Sequence, residues 1–244
     1  MLVATNLPPL SANASGCPNC QLRESCLWGS LSDDVVGQLS PCVRTLGPEP
    51  KGTVVCRQGA PTRSLFALRS GSAKATIVDS RGVETVVAFH YPGDLIGTAG
   101  LDDPHYLCTV TLLDRSGVCE IPLNRLNRMI DENGEIRHRF IHRLARELSK
   151  ARGHCRWITH ASAEGRVAGF LLESSDRMTQ LRRRPELLHM AMSRHDIASY
   201  LGLASETVSR VLKAFEGEGL MTISGKEIEV LDFERLKARA YTAA

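Results

Sequence analysis

The chain has 244 residues, a formal net charge of +3, 43% hydrophobic and 23% charged side chains, and 8 cysteines. It is long enough to bury two cores without covalent staples, and eight thiols at this length are too few for a disulfide scaffold, so a reduced, cytoplasmic protein is expected. No stretch offers the roughly 20 apolar residues of a membrane span, and Met1–Gly16 lacks the basic and apolar regions of a secretion signal, which makes it a flexible leader.

Directly after that leader, Cys17, Cys20 and Cys26 stand in a C-x2-C-x5-C arrangement, with Cys119 far downstream. A Cys-x-x-Cys turn aims two thiolates at one centre, a third arrives from the next turn, and a fourth completes the ligand set of a cubane iron–sulfur cluster. The same sulfurs suit zinc. A structural zinc site, however, usually gathers its ligands as two compact pairs, whereas here three are grouped and the fourth must come from the body of the chain, which favours the cluster. Cys42, Cys56, Cys108 and Cys155 have no ligand-like spacing and are expected as small, buried, reduced thiols.

From Leu46 to Pro122 short alternating runs predict strands at Thr53–Cys56, Ser64–Leu68, Ala73–Val78, Glu84–Phe89, Thr109–Leu112 and Gly117–Ile121. Glycines punctuate them, which argues for an antiparallel sandwich or jelly roll. After Pro122 the texture becomes helical, and Ile141, Leu144, Leu148, Ala151, Cys155 and Ile158 recur at alternating spacings of three and four. That is a narrow a/d seam, as for two parallel helices pairing across a dimer axis; a helix packed on its own domain is the alternative. The small Ala151 and Cys155 make the middle of such a seam weakly packed.

A third region begins near Ser162 with an apolar helix through Val167, Phe170 and Leu171, followed by a loop holding the basic run Arg182–Arg184, either a phosphate-contacting patch or a solvated loop. Ser193 and Asp196 form a capping box, with Ile197, Ala198 and Leu201 as the buried face of the helix they start. Gly202 makes a tight turn, and a second helix runs from Ser205 to Glu216 with Val208, Leu212 and Phe215 inward; this is helix-turn-helix spacing, and Met221–Val230 reads as a β-hairpin wing. Glu206, Ser209 and Arg210 share the opposite face. Arg210 can reach a guanine edge bidentately and Glu206 can accept from a cytosine amino group, while Ser205, Thr207 and Lys213 are placed for phosphates. A solvated face with an intrahelical Glu206–Arg210 pair is the plainer alternative. The expected class is therefore α+β: a leader and cysteine-rich segment (1–29), a β jelly-roll domain (30–122), a dimerisation helix (123–160) and a winged helix-turn-helix domain (161–244).

Four stretches resemble the Crp/Fnr superfamily of bacterial transcription regulators, and within it the oxygen-responsive fumarate and nitrate reduction branch. They are the Cys17/Cys20/Cys26 trio, Val118–Pro122 around Cys119, the turn Tyr91–Gly97, and Asp196–Arg210. The resemblance implies that these four cysteines bind a [4Fe–4S] cluster whose loss in oxygen dissolves a homodimer. It also implies that Glu206, Ser209 and Arg210 read a TTGAT-like half-site in double-stranded DNA, two such sites forming a palindrome about 34 Å apart. The loop Asp79–Thr85 corresponds to the surface that touches RNA polymerase, although a plain hairpin turn explains its residues equally. Ala151 stands where the family often has an acidic residue that keeps cluster-free protein monomeric, so dimerisation here is expected to be less tightly tied to the cluster.

A second branch of that superfamily binds cyclic nucleotide through a Gly-Glu turn and an Arg-Ser pair. Gly97-Thr98-Ala99-Gly100 lacks the Glu and Tyr106-Leu107-Cys108 replaces the pair, leaving a phosphate without donors, so cyclic nucleotide is not expected. A ferredoxin-type electron carrier would leave the helix-turn-helix unexplained, and the cysteine spacing matches neither usual ferredoxin run; a zinc- or effector-dependent regulator would share the DNA-binding half. An enzyme is not expected, since no nucleophile elbow, phosphate-binding Gly-Lys loop or three-ligand histidine site is present.

Overall fold

The computed structural model describes residues 17–29, 31–160 and 162–240; the leader Met1–Gly16 lies outside the described residues. The chain divides into two compact units, one ending at Arg146 and the other starting at Glu147.

Among the described residues the first unit is a jelly roll of eight strands. Its strands are β1 (Arg44–Glu49), β2 (Val54–Cys56), β3 (Ser64–Leu68), β4 (Ala73–Val78), β5 (Glu84–His90), β6 (Leu95–Ile96), β7 (Thr109–Leu112) and β8 (Ser116–Pro122). They form two antiparallel sheets in the orders β1-β8-β3-β6 and β2-β7-β4-β5, the pairing that two Greek keys produce. Phe66, Leu68, Val110, Leu112 and Val118 fill the space between the sheets. Strand periodicity then decides what faces outward: on β8 Val118 points between the sheets, while Cys119 and Ile121 belong to the opposite face. That outer face is covered by the N-terminal segment through Leu27, Trp28 and Leu31, by α1 (Asp33–Leu39) through Val36 and Leu39, and by Leu126, Met129, Ile136 and Phe140. A second apolar core results, and the cysteine-rich segment is part of it.

The helical region after Pro122 is two helices, α2 (Leu123–Glu132) and α3 (Gly134–His160). Asn133 interrupts them with an extended backbone (φ −133°, ψ 112°), and its side-chain oxygen accepts from the N–H groups of Glu135 and Ile136, which starts the second helix afresh.

The second unit contains α4 (Ala163–Gln180), β9 (Leu187–His189), α5 (Arg194–Leu201), α6 (Ser205–Gly217), β10 (Met221–Ser224), β11 (Glu227–Val230) and α7 (Phe233–Ala240). Ser162 caps α4 by accepting from Gly165 N–H at 3.1 Å. The wing is a three-stranded sheet, β10-β11-β9, rather than a two-stranded hairpin. Among the described residues no helix is long and apolar enough to cross a membrane.

Candidate functional site

Two tight turns wind the cysteine segment. Cys17–Asn19 and Arg23–Ser25 are 3-10 turns, joined by Cys20 N–H donating to the Cys17 carbonyl (3.3 Å), Arg23 N–H to that of Cys20 (3.0 Å), and Cys26 N–H to that of Leu22 (2.8 Å). Arg23 fastens the segment to α1, donating to the Leu31 carbonyl at 2.8 Å and pairing with Asp33. Cys17 and Cys26 rest against the same apolar core as Cys119, which lies between Thr45 of β1 and Ala67 of β3.

The thiols sense one another. Burial pushes Cys119 up to about 12, with Cys26, Cys17 and Cys20 adding to the rise and the Arg69 guanidinium opposing it. Cys17 is pushed up to about 11 by burial and then by Cys26 and Cys20. Burial raises Cys26 as well; the N–H groups of Trp28 and Leu27 oppose it, Cys20 adds to it, and Arg143 favours the thiolate. Burial thus favours the neutral thiol at Cys17, Cys26 and Cys119, and a bound metal centre would have to displace those protons. Among the described residues no three His, Cys, Asp or Glu side chains are grouped so as to hold a metal ion.

Of the other cysteines, Cys56 is buried between the sheets while Cys42 and Cys108 are half-buried. Cys155 departs from expectation: it is exposed, because its helix position faces away from its own unit. Along α3, Ile141 (59% exposed), Leu148 (52%) and Ala151 are also uncovered in the single chain, whereas Leu144 packs partly on the second apolar core and Ile158 is half-buried. His138 and His142 lie against each other on the same helix, ring centroids 4.3 Å apart and planes tilted by 59°.

In the second unit the capping box forms as expected: Ser193 Oγ accepts from Asp196 N–H (3.1 Å) and the Asp196 carboxylate accepts from Ser193 N–H (2.9 Å). Gly202 ends α5 with φ 63°, a left-handed conformation that suits glycine. Arg166 of α4 holds that turn, donating to the Leu201 carbonyl at 3.1 Å. On α6, Val208, Val211, Leu212 and Phe215 are buried, Glu206, Arg210 and Lys213 are exposed, and Ser205, Thr207 and Ser209 are half-exposed. Glu206 and Arg210 are both open to solvent, one turn apart on the same face. The N-cap is Ala204, which offers no side-chain acceptor and leaves the first-turn N–H groups of α6 open to an anion.

Elsewhere, two surface loops are held by local bonds. Arg184 is engaged by Glu186 at 2.8 Å, so the basic run is partly neutralised. Asp79 accepts from Arg81 N–H (2.8 Å) and Val83 N–H (3.0 Å), as a turn between β4 and β5 requires. Tyr106 lies in the jelly-roll interior with its hydroxyl donating to the Ser64 carbonyl at 2.7 Å. Arg143, which the spacing argument passed over, is 9% exposed and bonded to Asp94; a charged residue on the buried stripe of Ile136 and Phe140 was the available signal.

Residues 49–133 match the cyclic nucleotide-binding domain model and residues 165–239 the Crp-like helix-turn-helix domain model. The chain is 35% identical over 224 residues to "Transcriptional activator protein anr" of Pseudomonas aeruginosa, covering 92% of each. It is 30% identical to the "Fumarate and nitrate reduction regulatory protein" of Salmonella typhimurium, over 92% of this chain and 90% of that one. Among solved structures, FixK2 from Bradyrhizobium japonicum superposes with a TM-score of 0.74 at 26% identity, covering 83% of this chain and 99% of FixK2. The chain belongs to the Crp/Fnr family: it is a DNA-binding transcription regulator, not an enzyme.

Proposed function

We propose that this regulator is a cytoplasmic homodimer that responds to oxygen through a [4Fe–4S] cluster held by Cys17, Cys20, Cys26 and Cys119, and controls genes of anaerobic metabolism. The observation that supports the reading is that Cys17, Cys26 and Cys119, from two distant parts of the chain, rest against one apolar core. The donor set fits such a group. It is all sulfur, it is bedded in an apolar core, and Arg69 and Arg143 offset the negative charge that four thiolates would bring. Bound there, the cluster supplies oxygen-reactive iron and sulfide.

The remaining roles belong to the chain itself. Glu206, Ser209 and Arg210 read base edges of a TTGAT-like half-site, and Ser205, Thr207 and Lys213 hold phosphates around them. Ile141, Leu144, Leu148, Ala151, Cys155 and Ile158 pair two α3 helices, which sets two half-sites a helical turn apart on the DNA. The turn at Asp79–Thr85 meets RNA polymerase. No role is proposed for cyclic nucleotide, since Tyr106-Leu107-Cys108 stands where that branch of the family has its Arg-Ser pair and Tyr106 lies in the jelly-roll interior.

Replacing one ligand tests the assignment. Cys119→Ala abolishes retention of iron and sulfide and site-specific DNA binding, while Cys42→Ala leaves both intact; normal iron in the Cys119 variant overturns the ligand set.

A further inference from the structure

Three segments of the first unit meet at one buried guanidinium. Arg143 Nη2 donates to the Gly93 carbonyl at 2.7 Å and to Asp94 Oδ1 at 3.1 Å, and Nη1 reaches the Ser25 carbonyl at 3.5 Å. Asp94, 2% exposed, is fixed in turn: its other oxygen accepts from Tyr91 N–H at 3.0 Å, and its carbonyl accepts from Leu68 N–H of β3 at 3.0 Å. Ser25 directly precedes Cys26. It lies so close to the turn that a side chain on Gly93 would place its Cβ 2.7 Å from the Ser25 carbonyl oxygen, and Gly93 has φ +91°. The cysteine segment, the β5–β6 turn and α3 therefore share one set of hydrogen bonds, and the side chain that joins all three comes from α3.

Arg143 sits two residues after Ile141 and five before Leu148, on the side of α3 that carries the buried Ile136 and Phe140. Successive helix residues turn by about 100°, so Arg143 lies nearly opposite the uncovered Ile141. Any shift of Ser25 or Gly93 acts on one face of the helix, while the uncovered Ile141 and Leu148 lie toward the other.

We propose that Arg143 is the positioning residue through which the packing of the cysteine segment sets the placement of α3, and with it the geometry of the dimer seam. This rests on the dimeric reading above, and goes beyond it by naming the link. A planar fork bonded to two segments transmits position, whereas a lysine gathers its donors on one nitrogen at the end of a flexible stem and cannot span the two in a fixed geometry.

The experiment compares Arg143→Met, Arg143→Lys and Gly93→Ala with the wild type. It measures amide exchange of residues 17–29 in metal-free protein, and the dimer dissociation constant by sedimentation. Because Arg143→Met strands a buried carboxylate, Arg143→Met combined with Asp94→Asn replaces it if the single variant does not fold. The expected result is exchange at least tenfold faster in residues 22–29 together with a dimer at least tenfold weaker, no full rescue by lysine, and the same paired effect from Gly93→Ala, which displaces Ser25 and the Gly93 carbonyl while leaving every residue of α3 in place. A segment that exchanges as in the wild type, or one that loosens while the dimer is unchanged, overturns the proposal. Wild-type protein without iron and sulfide would refute the cluster reading instead and leave this comparison standing, since exchange and dimerisation are read without metal.

Discussion

Replacing Leu148 separates a dimer seam from a helix packed on its own chain. Leu148 is 52% exposed in the single chain, and fully burying a leucine contributes about 1.5–3 kcal/mol. Covering the uncovered half in a dimer is therefore worth about 0.8–1.5 kcal/mol per chain, and twofold symmetry doubles it to about 1.5–3 kcal/mol. At tenfold per 1.4 kcal/mol, Leu148→Ala raises the dimer dissociation constant by roughly 10- to 100-fold. Alanine is the better helix former, so α3 itself is not weakened. Sedimentation over a concentration series measures the constant, and thermal unfolding of the monomer measures the fold. An unchanged dimer together with a large loss of monomer stability would refute the reasoning, because it would place Leu148 against its own chain.

On α6, Arg210→Ala costs roughly 1–3 kcal/mol of discrimination at one base pair, read by competition binding with single-substituted sites; a uniform loss over unrelated sequences would mean that it touches only phosphate. Ser193→Ala removes the capping box and lowers the stability of the second unit by about 1 kcal/mol, measured by denaturant unfolding; no change would mean that the cap is redundant. Burial holds His154 below its ordinary value of 6.5, against a smaller opposing effect from its bond with Tyr200, on whose ring it stacks at 3.9 Å. A depressed histidine favours the neutral form in the fold. Its contribution is therefore intact above pH 6.5 and is lost as the pH falls through the lower folded value. His154→Phe should flatten that part of the stability profile, and an unaltered profile would contradict the assignment.

Alternation alone located β3, β4 and β7 to the residue and β2, β5 and β8 to within one, because half-buried strands write their faces into the sequence. β1 escaped notice because Gly47 and Pro48 interrupt it, and both residues suppress strand signals. The break at Asn133 hid inside a continuous helical pattern: only the geometry of its cap distinguishes a helix start from a helix interior. The cysteine trio was legible from spacing and Cys119 was named with it through the resemblance; that Cys119 shares an apolar core with Cys17 and Cys26 depends on which face of β8 the N-terminal segment covers. Periodicity marked Cys155 as a seam residue while its residue type suggested burial; exposure in the single chain fits the periodicity. Arg143 was illegible as a link because its partners at Ser25, Gly93 and Asp94 are far away in sequence and two of them offer only backbone carbonyls.

The central claim is that Cys17, Cys20, Cys26 and Cys119 hold an oxygen-labile cluster. The direct measurement is iron, acid-labile sulfide and zinc content of protein purified without oxygen, with the visible spectrum followed as air is admitted. The account predicts the iron and sulfide of one cubane per chain and a spectrum that bleaches in air. Zinc without sulfide would contradict it, leaving the DNA-binding unit in place and removing the oxygen switch.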